Sequence, residues 1–234
     1  MARTAVPGRL SWRRATLAAI RDETATARTL AFDVPDWPSH MPGQHVDVRL
    51  TAEDGYSTQR SYSLASADGV ELTVQQVIDG EVSPYLVSVL KVGEPIELRG
   101  PVGGWFVWRP TDTAPVLLVA GGSGIVPLMA MIRARRVVAS RVPFRLIYSA
   151  RTPGDVIYAD ELRRPAGGLD VHYVFTRETV RRHIGVADVN THGWPASFEP
   201  DCFVCGPTGF VETVADILVA LGHQPRRIKT ERFG

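Results

Sequence analysis

The sequence predicts a two-part fold, a small antiparallel β barrel followed by an α/β half built on a parallel sheet. Three observations carry it. From Trp12 to about Arg99 the apolar residues recur with a period near two, as in half-buried strands. After Pro110, continuous apolar runs alternate with helical stretches, the pattern of a parallel sheet. Between them Pro110 to Pro115, rich in Pro, Thr and Asp, marks a linker and divides the chain into residues 1–111 and 112–234.

In the first half the strand-like runs are Trp12–Ile20, Ala27–Val34, Gln44–Leu50, Arg60–Ala65, Val70–Ile78 and Pro95–Arg99. Turn residues at Asp22-Glu23, Asp36 to Gly43, Asp54-Gly55, Asp68-Gly69 and Val92-Gly93 separate them. Six short strands in about 100 residues suit a small barrel or sandwich. One helix interrupts them: Ser83 as N-cap and Pro84 in the first turn start a helix through Tyr85 to Leu90.

In the second half, Val116–Ala120, Phe144–Ser149, Leu169–Phe175, Cys202–Val204 and Arg227–Thr230 are the strands, with helices near 127–138, 158–164 and 209–221. In the last helix Phe210, Val214, Ile217, Leu218 and Leu221 form one apolar stripe, closed by Gly222. The segment Pro115 to Met131 organises this half. Five apolar residues run into Gly121-Gly122-Ser123-Gly124, and Pro127 suits a first helical position. A strand, a glycine turn and a helix with free N–H groups make a place for a nucleotide. The Gly-x-Gly-x-x-Gly spacing is absent, because Pro127 stands where the third glycine belongs. The turn is therefore expected to line a cleft between the halves, since ligands favour such junctions and the carboxyl ends of parallel strands.

Composition narrows the function. Lys+Arg is 26 against 25 Asp+Glu, so the net charge of +1 predicts no nucleic-acid partner. Only Lys91 and Lys229 are lysines, and arginine carries the remaining positive charge. No apolar run approaches about 18 residues, so no membrane span is expected. A basic start without an apolar core predicts no signal peptide, and two cysteines make no disulfide scaffold, so the expected location is cytoplasmic.

Several motifs carry chemistry. Arg60-Ser61-Tyr62-Ser63 ends a strand and offers a bidentate grip on pyrophosphate, a flat aromatic face and hydroxyls. Gly80-Glu81-Val82-Ser83 precedes a helix start, a second phosphate site. Cys202-x-x-Cys205 has the spacing of a redox dithiol or half a zinc site. It lacks a helix N-terminal setting and two further metal ligands, and the six histidines show no ligand spacing, so no metal is expected.

Arg60-Ser-Tyr-Ser, Gly80-x-Val-Ser, Gly121-Gly-Ser-Gly-Ile-Val-Pro, Cys205-Gly-Pro and the terminal Glu231-Arg232-Phe233 stand in the order and spacing of the ferredoxin–NADP reductase superfamily. Pro42-Gly43-Gln44 fits too, and the chain resembles that family over nearly its whole length. The resemblance implies an antiparallel six-stranded flavin-binding barrel followed by a parallel-sheet nucleotide-binding domain for NAD(P). It implies that Arg60 holds the flavin pyrophosphate, Tyr62 lies against the isoalloxazine, and Ser63, beside Ser61, bonds near flavin N5. Gly80, Val82 and Ser83 would hold phosphate, which favours FAD over FMN. Gly121, Gly122, Ser123 and Gly124 would line the nucleotide, with Ser123 where the family more often has Thr.

Cys205, with Gly206 and Pro207, would stand beside the nicotinamide, Phe233 would cover the flavin face, and Glu231 would position nicotinamide or relay a proton. The resemblance thus makes Ser63, Cys205 and Glu231 the catalytic set. Thr176-Arg177-Glu178 resembles the segment that binds the 2′-phosphate in NADPH-dependent relatives, with Arg151 and Arg182 as helpers, so NADPH is expected ahead of NADH.

A plant-type iron–sulfur domain needs four cysteines, and this chain has two. The expected activity is therefore hydride transfer from nicotinamide C4 to flavin N5, followed by single-electron transfer to a separate ferredoxin or oxygenase iron–sulfur partner. Reduction of free flavin, ferric iron or a small molecule is the second reading. A flavin- and nucleotide-binding redox sensor without turnover is the third.

Overall fold

The period-two pattern builds six antiparallel strands: β1 (Arg13–Thr24), β2 (Ala27–Asp33), β3 (His45–Thr51), β4 (Ser57–Ser63), β5 (Val70–Gln75) and β6 (Pro95–Val102). Between β5 and β6 lies α1 (Val82–Pro84), which continues as one wide turn over Tyr85–Val89. The computed structural model describes residues 10–164, 167–178 and 182–233. The strands lie in the order β4-β3-β6-β1-β2-β5. Leu64, just past β4, bridges to Leu72 on β5, so the two outer strands meet and the sheet curls on itself. Leu17, Leu30, Val46, Val48, Leu72 and Leu98 fill its interior with no exposed surface. Each such side chain contributes about 1.5–3 kcal/mol by leaving water.

Two expectations for this half are corrected. Asp22-Glu23 is not a turn. The strand runs on through an irregularity to Thr24, because the Glu23 carboxylate is turned inward and held by Arg21 and Thr29. Ser83 is not the N-cap. Glu81 occupies that place without a capping side chain, and Ser83 lies inside the helix. Its Oγ instead accepts the Val77 N–H at 3.0 Å, tying the preceding loop to the helix.

The second half alternates β7 (Val116–Gly121), α2 (Ile125–Val137), β8 (Phe144–Ala150), α3 (Ala159–Leu162), β9 (Leu169–Phe175), α4 (Val186–His192), β10 (Asp201–Pro207), α5 (Thr208–Ala220) and β11 (Ile228–Phe233). The strand order is β11-β10-β7-β8-β9, with all pairs parallel. β7 is buried throughout because both its faces are covered. Val116, Leu118 and Ala120 pack towards α2 and α3, while Leu117 and Val119 pack towards α4 and α5.

Helix α4 has no forecast in the sequence, since it buries only Val189 and so shows no apolar stripe. The terminal strand reaches Phe233, three residues further than the pattern suggested, because it pairs with β10 along its length. Between the sheets, Phe106 and Trp108 insert edge-on against Phe203 and Phe144, and Lys229 Nζ donates to the Val107 carbonyl at 3.2 Å.

Candidate active site

β7 is the middle strand, with β8 on one side and β10 on the other, so the chain's path reverses beside it and leaves a crevice at the carboxyl ends. The glycine turn fills this point. Gly122 is left-handed, with φ +55, and a Cβ there would find only Gln75 at 4.0 Å, so open space faces it. The other glycines serve close packing. A Cβ on Gly124 would overlap the Cys205 carbonyl, and Cβ atoms on Gly121 and Gly206 would come within 2.8 and 2.7 Å of the Phe210 ring. Pro127 is the third residue of α2 rather than its first, because a short 3-10 turn over Gly122–Gly124 brings the helix in earlier.

Across from the turn lies a cleft of about 490 Å³. It brings together Arg60, Ser61, Tyr62, Ser63, Gly80, Val82 and Ser83 of the barrel half with Ser123 and Phe233 of the other. Arg60 is exposed, and among the described residues its side chain bonds only the neighbouring Gln59 carbonyl, at 2.7 Å, so its guanidinium is available to an anion. Burial pushes the Tyr62 phenol up to about 12, so it stays neutral and presents an aromatic face. Gly80 packs tightly, since a Cβ would lie 3.1 Å from Ser83 Oγ and 3.2 Å from the Val77 carbonyl. Ser61 Oγ donates instead to Asp47 at 2.7 Å, in a ladder that Arg99 completes. These residues fit a flavin dinucleotide: an open cation, a flat ring and a cradle without side chains.

The two halves meet at Ser63, whose Oγ donates to Glu231 Oε1 at 3.0 Å. Burial raises the Glu231 carboxyl above its ordinary range, and the Ser63 bond opposes that rise. Cys205 pairs in register with Glu231. Its thiol is buried and pushed well up, chiefly by desolvation, so it is a neutral thiol rather than a thiolate. Cys202 belongs to the opposite face of the sheet, so the two cysteines cannot act as a dithiol. Among the described residues no cluster of three or more His, Cys, Asp or Glu could hold a metal ion.

Arg151 and Thr176-Arg177 collect at the ends of β8 and β9, where the Arg177 N–H donates to the Arg151 carbonyl at 2.8 Å. β10 and β9 are three strand spacings apart, about 14 Å, a row along which an extended dinucleotide can lie. Arg182 lies beside them, its backbone N–H donating to the Thr176 carbonyl at 3.3 Å, while its guanidinium pairs with Asp188 at 3.1 Å. The cleft also uses Thr73, Gln75, Val77, Asp79 and Val126, which sequence reasoning missed. Thr73 and Gln75 share one face of β5, a signal that alternation alone could have supplied.

Comparison with known proteins agrees with this layout. Residues 14–107 match the family model of the oxidoreductase FAD-binding domain, and residues 118–216 that of the oxidoreductase NAD-binding domain. The chain is 32% identical over 232 residues to the glycine betaine monooxygenase reductase subunit of Pseudomonas aeruginosa, covering 91% of this chain and 62% of that one. It thus spans about three fifths of that relative. Among solved structures, the flavohem-like FAD/NAD binding domain of nitric oxide dioxygenase from Vibrio cholerae superposes with a TM-score of 0.84 at 25% identity, over 95% of this chain and 98% of that one. A ferredoxin NADP+ reductase from Neisseria gonorrhoeae with bound FAD and NADP shares the fold, with a TM-score of 0.80 at 19% identity over 94% and 98%.

Proposed function

Given that the chain belongs to the ferredoxin–NADP reductase superfamily, with an FAD-binding domain followed by an NAD-binding domain, we propose that it is an NAD(P)H-dependent flavoprotein reductase. It takes hydride from NAD(P)H onto FAD and passes single electrons to an iron–sulfur protein, a ferredoxin or an oxygenase component. The Ser63–Glu231 hydrogen bond carries this reading, because it sets a hydroxyl and a carboxyl from opposite halves at the mouth of one cleft.

Bound flavin supplies an acceptor that takes two electrons together and releases them singly. The protein's contribution is placement. Arg60 would hold the pyrophosphate, Tyr62 would support the ring from the barrel side, and Gly80 with the N–H groups of Val82 and Ser83 would hold phosphate. Phe233, 38% exposed at the end of β11, lines the same cleft from the other half and would cover the flavin ring on that side. With flavin bound, Ser63 would turn its one hydroxyl proton from Glu231 towards the reacting edge, and the freed Glu231 carboxyl would orient the carboxamide end of the nucleotide. Gly122 and Ser123 let that nucleotide approach the backbone closely.

The acceptor lies outside these 234 residues, whose two cysteines cannot ligate a cluster with four thiolates. The relative from Pseudomonas aeruginosa is named as the reductase subunit of a monooxygenase, which supports an oxygenase partner. Steady-state reduction of cytochrome c with and without an oxygenase iron–sulfur component tests this. Acceleration by the protein component is expected, and equal rates would contradict it. Two free cysteines, and no helix among the described residues long and apolar enough to cross a membrane, support a cytoplasmic location.

NADPH is the proposed donor, because Arg151 and Arg177 stand together where a 2′-phosphate would end. Charged hydrogen bonds contribute about 1.5–3 kcal/mol each. Arg177→Ala should lower kcat/KM for NADPH by about ten- to a hundred-fold and leave NADH within about two-fold. Equal losses for both nucleotides would remove this role.

A further inference from the structure

A closed ring of hydrogen bonds joins the two halves behind the cleft. The Tyr158 hydroxyl donates to Thr73 Oγ1. Thr29 Oγ1 gives its one proton to Glu23 Oε1 at 2.6 Å, so its 2.7 Å contact with Thr73 must run from Thr73 to Thr29. The other Glu23 oxygen accepts the Tyr158 backbone N–H at 3.1 Å, which closes the circuit on the residue where it began. Each hydroxyl gives once and receives once, apart from Tyr158, which only gives.

The ring is dry: Tyr158, Thr29 and Thr73 are 2%, 2% and 5% exposed. Tyr158 stands just before α3 in a left-handed conformation, φ 62 and ψ 27, that side chains other than Asn and Asp seldom adopt. Being tied at both its N–H and its hydroxyl fixes that conformation. Arg133 reinforces the junction, lying 4.9 Å over the Tyr158 ring while bonding the Ala65 carbonyl, Glu71 and Glu161. Thr73 is at once a ring member and part of the cleft wall.

We propose that Tyr158 is a positioning residue, and that its ring with Thr73, Thr29 and Glu23 fixes the nucleotide half against the β5 wall of the cleft and so sets the approach of nicotinamide to flavin. This rests on the reductase reading above. Hydride transfer depends steeply on the approach distance, and a misplacement of about 1 Å can cost about 100-fold in rate. A tie whose Tyr158, Thr29 and Glu23 lie outside the cleft lining would thus govern the transfer step and not the binding step.

The test compares flavin-loaded full-length Tyr158→Phe, Thr29→Val and Thr29→Ser in anaerobic stopped-flow reduction. Tyr158→Phe and Thr29→Val should lower the limiting rate of flavin reduction at least about ten-fold, with nucleotide Kd within about two-fold and flavin content unchanged. Thr29→Ser, which keeps the hydroxyl, should restore the rate. An unchanged limiting rate in Tyr158→Phe, or a loss that Thr29→Ser shares, would overturn the proposal.

Amide hydrogen exchange on the unmodified protein gives an independent reading if a variant does not fold. The Tyr158 amide should exchange as slowly as those of β5, and fast exchange there would contradict the ring. Because exchange needs no turnover, it also separates failure of the ring from failure of the reductase reading, which would show as no flavin reduction in the unmodified protein.

Discussion

Ser63→Ala is expected to slow reduction of the bound flavin by about 10²-fold or more, the scale of losing one placed donor at a reacting atom. Ser63 belongs to the last residue pair of β4, and its hydroxyl spans the halves at the mouth of the cleft, at 3.0 Å from Glu231. Alanine leaves the strand intact, so flavin content should hold while the limiting reduction rate falls.

The same change has a pH signature. Burial holds the Glu231 carboxyl above its ordinary range and the Ser63 bond restrains it, so Ser63→Ala should move any Glu231-dependent limb of the pH profile upward. The stability consequence has the opposite sense to that of a salt-bridged acid. The folded protein holds the Glu231 proton more tightly than the unfolded chain, so stability falls as pH rises from the ordinary glutamate value through the raised one. Below that window the penalty vanishes. Glu231→Gln removes the titration, so its melting temperature relative to the parent should rise from acidic to neutral pH. Parallel curves for the two proteins would contradict the raised carboxyl.

Gly124→Val should be the most damaging single change in the nucleotide half. Its Cβ would overlap the Cys205 carbonyl and approach Gly206 N at 2.8 Å, and backbone cannot swing away as a flexible side chain can. Overpacking of this kind costs about 1–3 kcal/mol or more. At about 2–4 °C per kcal/mol for a chain of this size, the melting temperature should fall by about 2–12 °C. Nucleotide affinity should fall with it, because the displaced turn carries Ser123. Gly122→Ala is the contrast. It meets no clash and strains only its left-handed backbone, so its loss should be the smaller one. A thermal melt of both variants decides, and equal losses would show that backbone freedom, not close approach, governs the turn.

Much of the fold was legible because it rests on local pattern. Alternation gave the barrel strands, and the uninterrupted run Val116–Ala120 gave the central parallel strand. Elements held by few apolar contacts escaped, as α4 shows with its single buried Val189. Strand β1 outran its apparent end because Glu23 finds a partner 135 positions away, which no local window contains.

The site divides in the same way. Arg60 to Ser63 and the glycine turn have local signatures, whereas Ser63 and Glu231 stand 168 positions apart and are joined only by the fold. Glycine is ambiguous at sequence level. Gly122 faces open space, but Gly121 and Gly206 are small to admit the Phe210 ring. Tyr158 gave no sign at all, since a left-handed residue is ordinarily announced by Gly or Asn.

The central claim is that the cleft between the halves brings NAD(P)H to bound flavin for hydride transfer. Anaerobic mixing of the flavin-loaded protein with NADPH, and separately with NADH, tests it most directly. Rapid bleaching of the oxidised flavin absorbance, faster at limiting concentration with NADPH, is the predicted result. Saturable binding of both nucleotides with the flavin left oxidised would contradict the account.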